Sequence, residues 1–200
     1  MAVQPSTFVR IPKERVGVLI GPNGETKKAL ERMLSVNLEV ESDTGGVTIF
    51  LKEGAEDPSS LLRAKDVVTA IGRGFSPEHA FKLIQDESTV LDIIDLRTIF
   101  GRSESDIRRI KGRIIGMEGK TRRTIEELTD THISIYGHTV GIIGNIENVQ
   151  VAREAVQMLI EGRQHATVYG FLHRKRRELK KSMLELWERP DDFRRSPRVP

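Results

Sequence analysis

The chain contains no cysteine, which excludes disulfides, thiolate chemistry and cysteine-ligated zinc. Aromatic residues make up only 5%, which argues against aromatic base-stacking sheets of the RRM or OB type. No run approaches the ~20 apolar residues needed to cross a bilayer. The opening MAVQPSTFVRIPK has no apolar signal core, so a cytoplasmic protein without membrane association is expected. The five histidines (His79, His132, His138, His165, His173) show no metal-ligand spacing, and neither a metal nor a cofactor is expected. Paired carboxylates occur at Asp92/Asp95, on an expected strand, and at Asp191/Asp192, in an expected tail. Both pairs read as solvated charge, so no catalytic residue is expected.

What is present is charge, and it is unevenly placed. Residues 1–100 carry 12 Lys+Arg against 15 Asp+Glu, whereas residues 101–200 carry 20 against 14. Ile107 to Arg123 holds seven basic residues and one acid; His173 to Lys181 holds six and one. Such asymmetry suits a polyanionic partner contacted through the C-terminal half.

An internal repeat organises the rest. VGVLIGPNGETKKALERMLSVNLEVE (16–41) aligns without a gap on KGRIIGMEGKTRRTIEELTDTHISIY (111–136), at a constant offset of 95 residues. Gly17 falls on Gly112, Ile20 on Ile115, Gly21 on Gly116, Gly24 on Gly119, Thr26 on Thr121 and Glu31 on Glu126. Lys27 and Lys28 fall on Arg122 and Arg123.

The periodicity predicts one element order twice, βααββα. Thr7–Ile11 and Leu91–Phe100 read as opening strands. Each is followed by a short helix, a GxxG turn and a second helix at about 25–34 and 120–130. Ala29, Leu30, Met33 and Leu34 share a face of the first of these helices, Ile125 and Leu128 of the other. Alternation in Val36, Leu38 and Val40, and in Ile133 and Ile135, marks half-buried strands, and turns at Thr44–Gly46 and Gly137–His138 lead to further strands. A long helix closes each unit. The first has Asp57 as N-cap and Pro58 at its first helical position; the second opens at Asn145 and ends at Gly162. The fold class is therefore α+β, with modules expected at 7–73 and 91–162. A connecting helix and linker (74–90), a C-terminal basic helical extension (163–189) and a disordered tail (190–200) complete the chain. Within the extension, Ala166–Leu172 precedes a basic helix at 173–187, with Leu172, Leu179, Met183, Leu186 and Trp187 on its apolar side.

A GxxG turn between helices lets backbone amides approach phosphate, and the next helix offers unpaired N–H groups and a positive dipole end. Gly119-Lys120-Thr121 is no P-loop, because Ile114 stands where that motif needs glycine. Gly72-Arg73-Gly74 reads as a helix C-cap, with Pro77 where a dinucleotide fingerprint needs its third glycine.

Two I-G-x-x-G turns inside βααββα resemble the KH family, in its type I form: a three-stranded antiparallel sheet covered by three helices, gripping about four nucleotides of single strand. The resemblance implies a first clamp at Gly21, Pro22, Asn23 and Gly24, and a second at Gly116, Met117, Glu118 and Gly119. It implies a first groove along Gly17, Val18, Ile20, Leu38 and Val40, and a second along Gly112, Arg113, Ile115, Ile133 and Ile135, with Asn37 or His132 touching a base. Both clamps depart from the family's habit of a basic residue between the glycines. Pro22 has no amide to donate and Glu118 repels phosphate. Lys27 and Lys28 compensate in the first copy, and Lys120, Arg122 and Arg123 do so more fully in the second, which ranks as the main RNA site.

AIGRGFSPEHAFKLI (70–84), DIRRIKGRIIGMEGKTRRTIEELT (106–129) and HATVYGFLHRKRRELKK (165–181) together resemble one narrower family. This is the archaeal and eukaryotic KH-domain ribosome-assembly factor that partners the nuclease Nob-one. It implies single-stranded RNA near the 3′ end of the small-subunit rRNA precursor as ligand, and a maturation nuclease or another assembly or translation protein as partner. The eukaryotic branch carries an N-terminal extension and a degenerate first clamp; neither is seen here, which points to the archaeal form. A monomer is favoured. A subunit of an RNA-degrading nuclease assembly, or a general RNA-binding regulator of translation, are the alternatives.

Overall fold

A computed structural model describes residues 5–55 and 57–187, with backbone alone for 182–187. The expected tail at 190–200 lies outside the described residues, as do the side chains of Met183, Leu186 and Trp187.

The first module runs β1 (Ser6–Arg10), α1 (Lys13–Ile20), α2 (Glu25–Met33), β2 (Val36–Glu41), β3 (Gly46–Leu51) and α3 (Ser59–Gly72). After α4 (Pro77–Gln85), the second runs β4 (Thr89–Asp95), α5 (Leu96–Phe100), α6 (Glu104–Ile115), α7 (Lys120–Thr129), β5 (His132–Tyr136), β6 (Thr139–Asn145) and α8 (Ile146–Ile160), and α9 (His165–Trp187) follows. Each sheet is antiparallel, in the orders β1-β3-β2 and β4-β6-β5, and three helices cover one face of each. The protein is thus two tandem KH modules of α+β class with a C-terminal helix.

Several elements depart from their sequence outlines. The expected strand Leu91–Phe100 ends at Asp95, whose carboxylate accepts the Arg97 N–H at 2.8 Å and so starts the short helix α5. Met33, expected on the apolar face of α2, is 47% exposed because the helix stops there; the buried residues are Leu30 and Leu34. Ala166–Leu172 is no separate element. It forms the first turns of α9, a single helix of 23 residues, anchored by the buried Val168, Phe171 and Leu172. Helix α3 begins one residue later than outlined. Asp57 still caps it, accepting the Ser59 N–H at 2.8 Å, and Pro58 already has helical dihedrals.

The central strands of the two sheets differ in burial. In β3 buried residues alternate with half-buried ones (Val47, Ile49 and Leu51 against Thr48 and Phe50), whereas Thr139 through Ile143 of β6 are all buried. The difference arises because the second sheet is covered on both faces. Val140 and Ile142 pack with the helices of their own module; Ile143 joins the core of the first, beside Phe75, Ala80 and Leu83. At Gly141 a β-carbon would stand 2.7 Å from the Phe75 ring, so only glycine lets the connector lie flat on the sheet.

The connector is thus part of a packed joint. Arg15 donates to the carbonyls of Ile71 at 2.8 Å and Phe75 at 2.5 Å, and its guanidinium stands 5.9 Å from the centre of the Tyr136 ring. Burial pulls the Arg15 pKa below its ordinary value. Tyr136 in turn donates its hydroxyl proton to Glu14, and Ser134 Oγ donates to the Arg73 carbonyl at 2.9 Å.

Candidate nucleic-acid interface

The repeat persists in geometry, residue for residue. Gly21 and Gly116 both have φ 72°, and Asn23 and Glu118 have φ 51° and 52°. At Gly116 a β-carbon would lie 2.2 Å from Thr121 Oγ1, as one at Gly21 would from Thr26 Oγ1. Sterics and the positive φ therefore both demand glycine at the first clamp position. Each clamp closes on itself: Gly24 N–H reaches the Gly21 carbonyl at 3.2 Å, and Gly119 N–H the Gly116 carbonyl at 3.3 Å.

Behind each clamp, α2 and α7 begin without any side-chain cap. The Glu25 and Lys120 amides bond back to the Pro22 and Met117 carbonyls, and no side chain caps the positive end of either helix dipole. The clamp tips are open; Pro22, Asn23 and Glu118 are exposed and Met117 is 82% exposed.

Charged side chains brace this scaffold. Arg123 donates to the Glu118 carbonyl at 2.6 Å and Lys28 to the Asn23 carbonyl at 3.4 Å. Lys27 pairs with Glu31 at 3.7 Å, and Arg122 with Glu126 at 3.6 Å. Lys120 is exposed beside the second clamp. Arg113 spends two donors elsewhere, on the carbonyls of Leu159 at 3.3 Å and Arg163 at 2.7 Å. It ties α6 to the end of α8 rather than reaching freely into the groove.

Of the residues expected along the grooves, Gly112 and Ile115 are exposed next to the second clamp, while Leu38 and Ile133 are core residues at 2% and 4% exposure. Strand pleating separates His132 from Ile133 by one sheet face. His132 faces the connector: its ring stacks on His79 with centroids 4.0 Å apart, and its Nε2 lies 2.6 Å from Lys82 Nζ. Burial first, then His79 and Lys82, push its pKa below the ordinary histidine value.

The second clamp is flanked by two basic cavities. One, of about 860 Å³, lies between α5, α6 and the Gly137–His138 turn, and brings Arg97, Arg102, Arg108 and Lys111 beside Gly112 and Ile115. The other, of about 470 Å³, lies between the clamp and α9, with Arg109 and Lys120 on one side and His165 and Tyr169 on the other. Tyr169 Oη is 3.0 Å from Thr121 Oγ1, and His165 Nε2 is 3.0 Å from the Arg113 carbonyl. Arg97, His138, His165 and Tyr169 escaped the sequence reading. The only hint was the density of cations in this half, since their approach to the clamp is long-range. Farther along α9, His173, Arg176, Arg177 and Lys180 line one shallow surface. Among the described residues no His/Asp/Glu group has the arrangement of a metal site, and no helix is long and apolar enough to cross a membrane.

Residues 90–177 match the eukaryotic type KH domain, KH-domain type I. A KH domain-containing protein of Methanocaldococcus jannaschii is 50% identical over 185 residues, covering 92% of this chain and 80% of its own. The RNA-binding protein pno1 of Dictyostelium discoideum is 27% identical over 164 residues, 82% of this chain and 69% of its own. Among solved structures, a chain of the a/eIF2alpha-aDim2p-rRNA complex from Pyrococcus horikoshii shares 42% identity and superposes with a TM-score of 0.81, covering 88% of this chain and 96% of that one. Half of the aligned residues are shared with the Methanocaldococcus protein, across most of both chains. The chain belongs to the Pno1/Dim2p family of KH-domain RNA-binding proteins, on its archaeal branch.

Proposed function

We propose that this protein is a non-catalytic, cytoplasmic ribosome-assembly factor. It binds single-stranded RNA near the 3′ end of the small-subunit rRNA precursor and presents that end to a maturation nuclease. The second clamp is the main site: Gly116, Met117, Glu118 and Gly119 hold phosphate, with Lys120, Arg122 and Arg123 around it and Gly112 and Ile115 along the groove. The first clamp, Gly21 to Gly24 with Lys27 and Lys28, is secondary, and His132 acts through the joint with the connector. The observation that carries this reading is the uncapped start of α7 behind the Gly116–Gly119 turn, set between two basic cavities. The positive end of the helix dipole there favours an anion, and surrounding cations favour a chain of them. Family relatives support rRNA as the ligand: fungal members bear the name pre-rRNA-processing protein, and Dim2p from Pyrococcus horikoshii was solved in a complex with a/eIF2alpha and rRNA.

Crosslinking in cells, followed by sequencing of the attached RNA, tests the proposal. Crosslinks concentrated near the 3′ end of small-subunit rRNA precursor, lost on replacing Met117-Glu118 with two aspartates, are expected. Crosslinks spread over messenger RNA would favour a translational regulator. RNA cleavage by the purified chain would favour a nuclease subunit.

A further inference from the structure

A third cavity, of about 440 Å³, wraps the open edge of β5 and is built from the second module and the connector. Its floor is β5; one wall is α7, through Arg122 and Glu126; the other is the connector, through Gly74, Ser76 and His79. Arg122 stands three residues past Gly119, so the cavity begins about one helical turn (~5.4 Å) from the second clamp. The edge of β5 is only partly used. The Ile133 N–H reaches Glu126 there, and the antiparallel ladder turns the Ile135 N–H and carbonyl to the same edge. Arg122 Nε is buried without a hydrogen-bond acceptor among the described residues. The connector wall is aromatic, because His79 lies over His132 at 4.0 Å with planes 15° apart. Lys82 Nζ, 2.6 Å from His132 Nε2, has only protons to offer when charged. An ammonium there makes that nitrogen the acceptor.

We propose that this cavity is a nucleotide site shared by the second module and the connector, in which an unstacked RNA base lies against the His79–His132 pair next to the bases held by the second clamp. The rest of the wall suits a nucleotide. A flat ring backed by a second ring offers a π-face to any base, and the β5 edge offers donor and acceptor to a base edge. It also accounts for the rigid joint. A platform contributed by α4 reads a strand held by α7 only if the modules keep a fixed relation, which Phe75 on Gly141 and Arg15 on Phe75 secure. The proposal rests on the RNA-binding reading of the second clamp.

The test uses the full chain and a mixed-sequence single-stranded RNA of about eight nucleotides. His79→Ala should weaken binding at least about fivefold, the loss expected for one base–aromatic stack, while His79→Phe should restore most of it. Diethylpyrocarbonate footprinting of the unmodified protein gives a readout that needs no variant: RNA should protect His79, and pyrophosphate at equal charge should not. Unchanged affinity in His79→Ala, equal weakening in His79→Phe, or a His79 that stays reactive under RNA each overturns the shared site. A clamp variant with Met117-Glu118 replaced by two aspartates separates the two readings. If it binds RNA like the parent, the clamp reading fails; if it loses binding while the His79 variants do not, only the shared site fails.

Discussion

Glu126 Oε1 accepts the backbone N–H of Ile133 at 2.7 Å. At the equivalent place in the first module, Glu31 Oε1 accepts that of Leu38 at 2.9 Å. The carboxylate of the clamp helix thus satisfies an amide on the open edge of the neighbouring strand and sets the spacing between the two walls of the groove. Each also holds the basic residue four positions earlier, so one acid serves both packing and charge placement.

Glu126→Ala should therefore destabilise the protein by about 1–2 kcal/mol, since it strands a partly buried amide. Glu126→Gln should cost less, because its carbonyl oxygen still accepts. Urea unfolding of the two variants checks this; equal losses would mean that charge, and not the accepted hydrogen bond, matters.

Replacing Met117-Glu118 by two aspartates should weaken binding of single-stranded RNA more than the same change at Pro22-Asn23. Both variants should stay folded. The replaced side chains are exposed, and aspartate tolerates the positive φ of Asn23 and Glu118 better than most residues do. Fluorescence anisotropy with one RNA measures the ranking, and the reverse order would show the first clamp to be dominant.

Single-stranded RNA should be preferred over duplex, because a groove of this kind reads unstacked bases. With about three phosphates neutralised at the second clamp, log affinity should fall with log salt at a slope of roughly −2. Affinity measured across a salt series, on a single strand and on its duplex, checks both statements.

Along α9, Arg174 and Lys175 are engaged with Glu178, at 4.0 Å and 2.9 Å. Arg176, Arg177 and Lys180 stand exposed on the surface shared with His173. Reversing Arg176, Arg177 and Lys180 to glutamate should lower RNA affinity uniformly across sequences and flatten the salt slope, as loss of backbone contacts does. Reversal of Arg174 and Lys175 should do less. If a folded triple variant binds like the parent, this surface faces a protein rather than RNA.

His132 carries a pH dependence with a definite sign. Burial, His79 and Lys82 depress its pKa in the fold, with Asp130 opposing, so the unfolded chain binds the extra proton more readily. Stability is therefore complete above the ordinary histidine pKa of about 6.5 and is lost as pH falls below it. Melting temperatures at pH 7.5 and 5.5 should differ less in His132→Asn than in the parent.

The sequence by itself determined the two modules, the clamps and their register. These are properties of contiguous stretches: glycines at fixed offsets, positive-φ turns and apolar periodicity carry their geometry wherever the stretch is placed. The constant offset that matched Gly21 to Gly116 and Glu31 to Glu126 also matches their dihedrals and hydrogen bonds. The joint was not legible in the sequence, since Val140-Gly141-Ile142-Ile143 and Val47-Thr48-Ile49-Phe50 are both mainly apolar and neither run names what covers it. Only the tertiary structure decided that Phe75 covers it, that His132 turns to His79, that Arg113 is spent on α8, and that His165 and Tyr169 stand beside the second clamp. Those contacts join segments tens of residues apart, and which faces meet is fixed by shape and burial rather than by any local period.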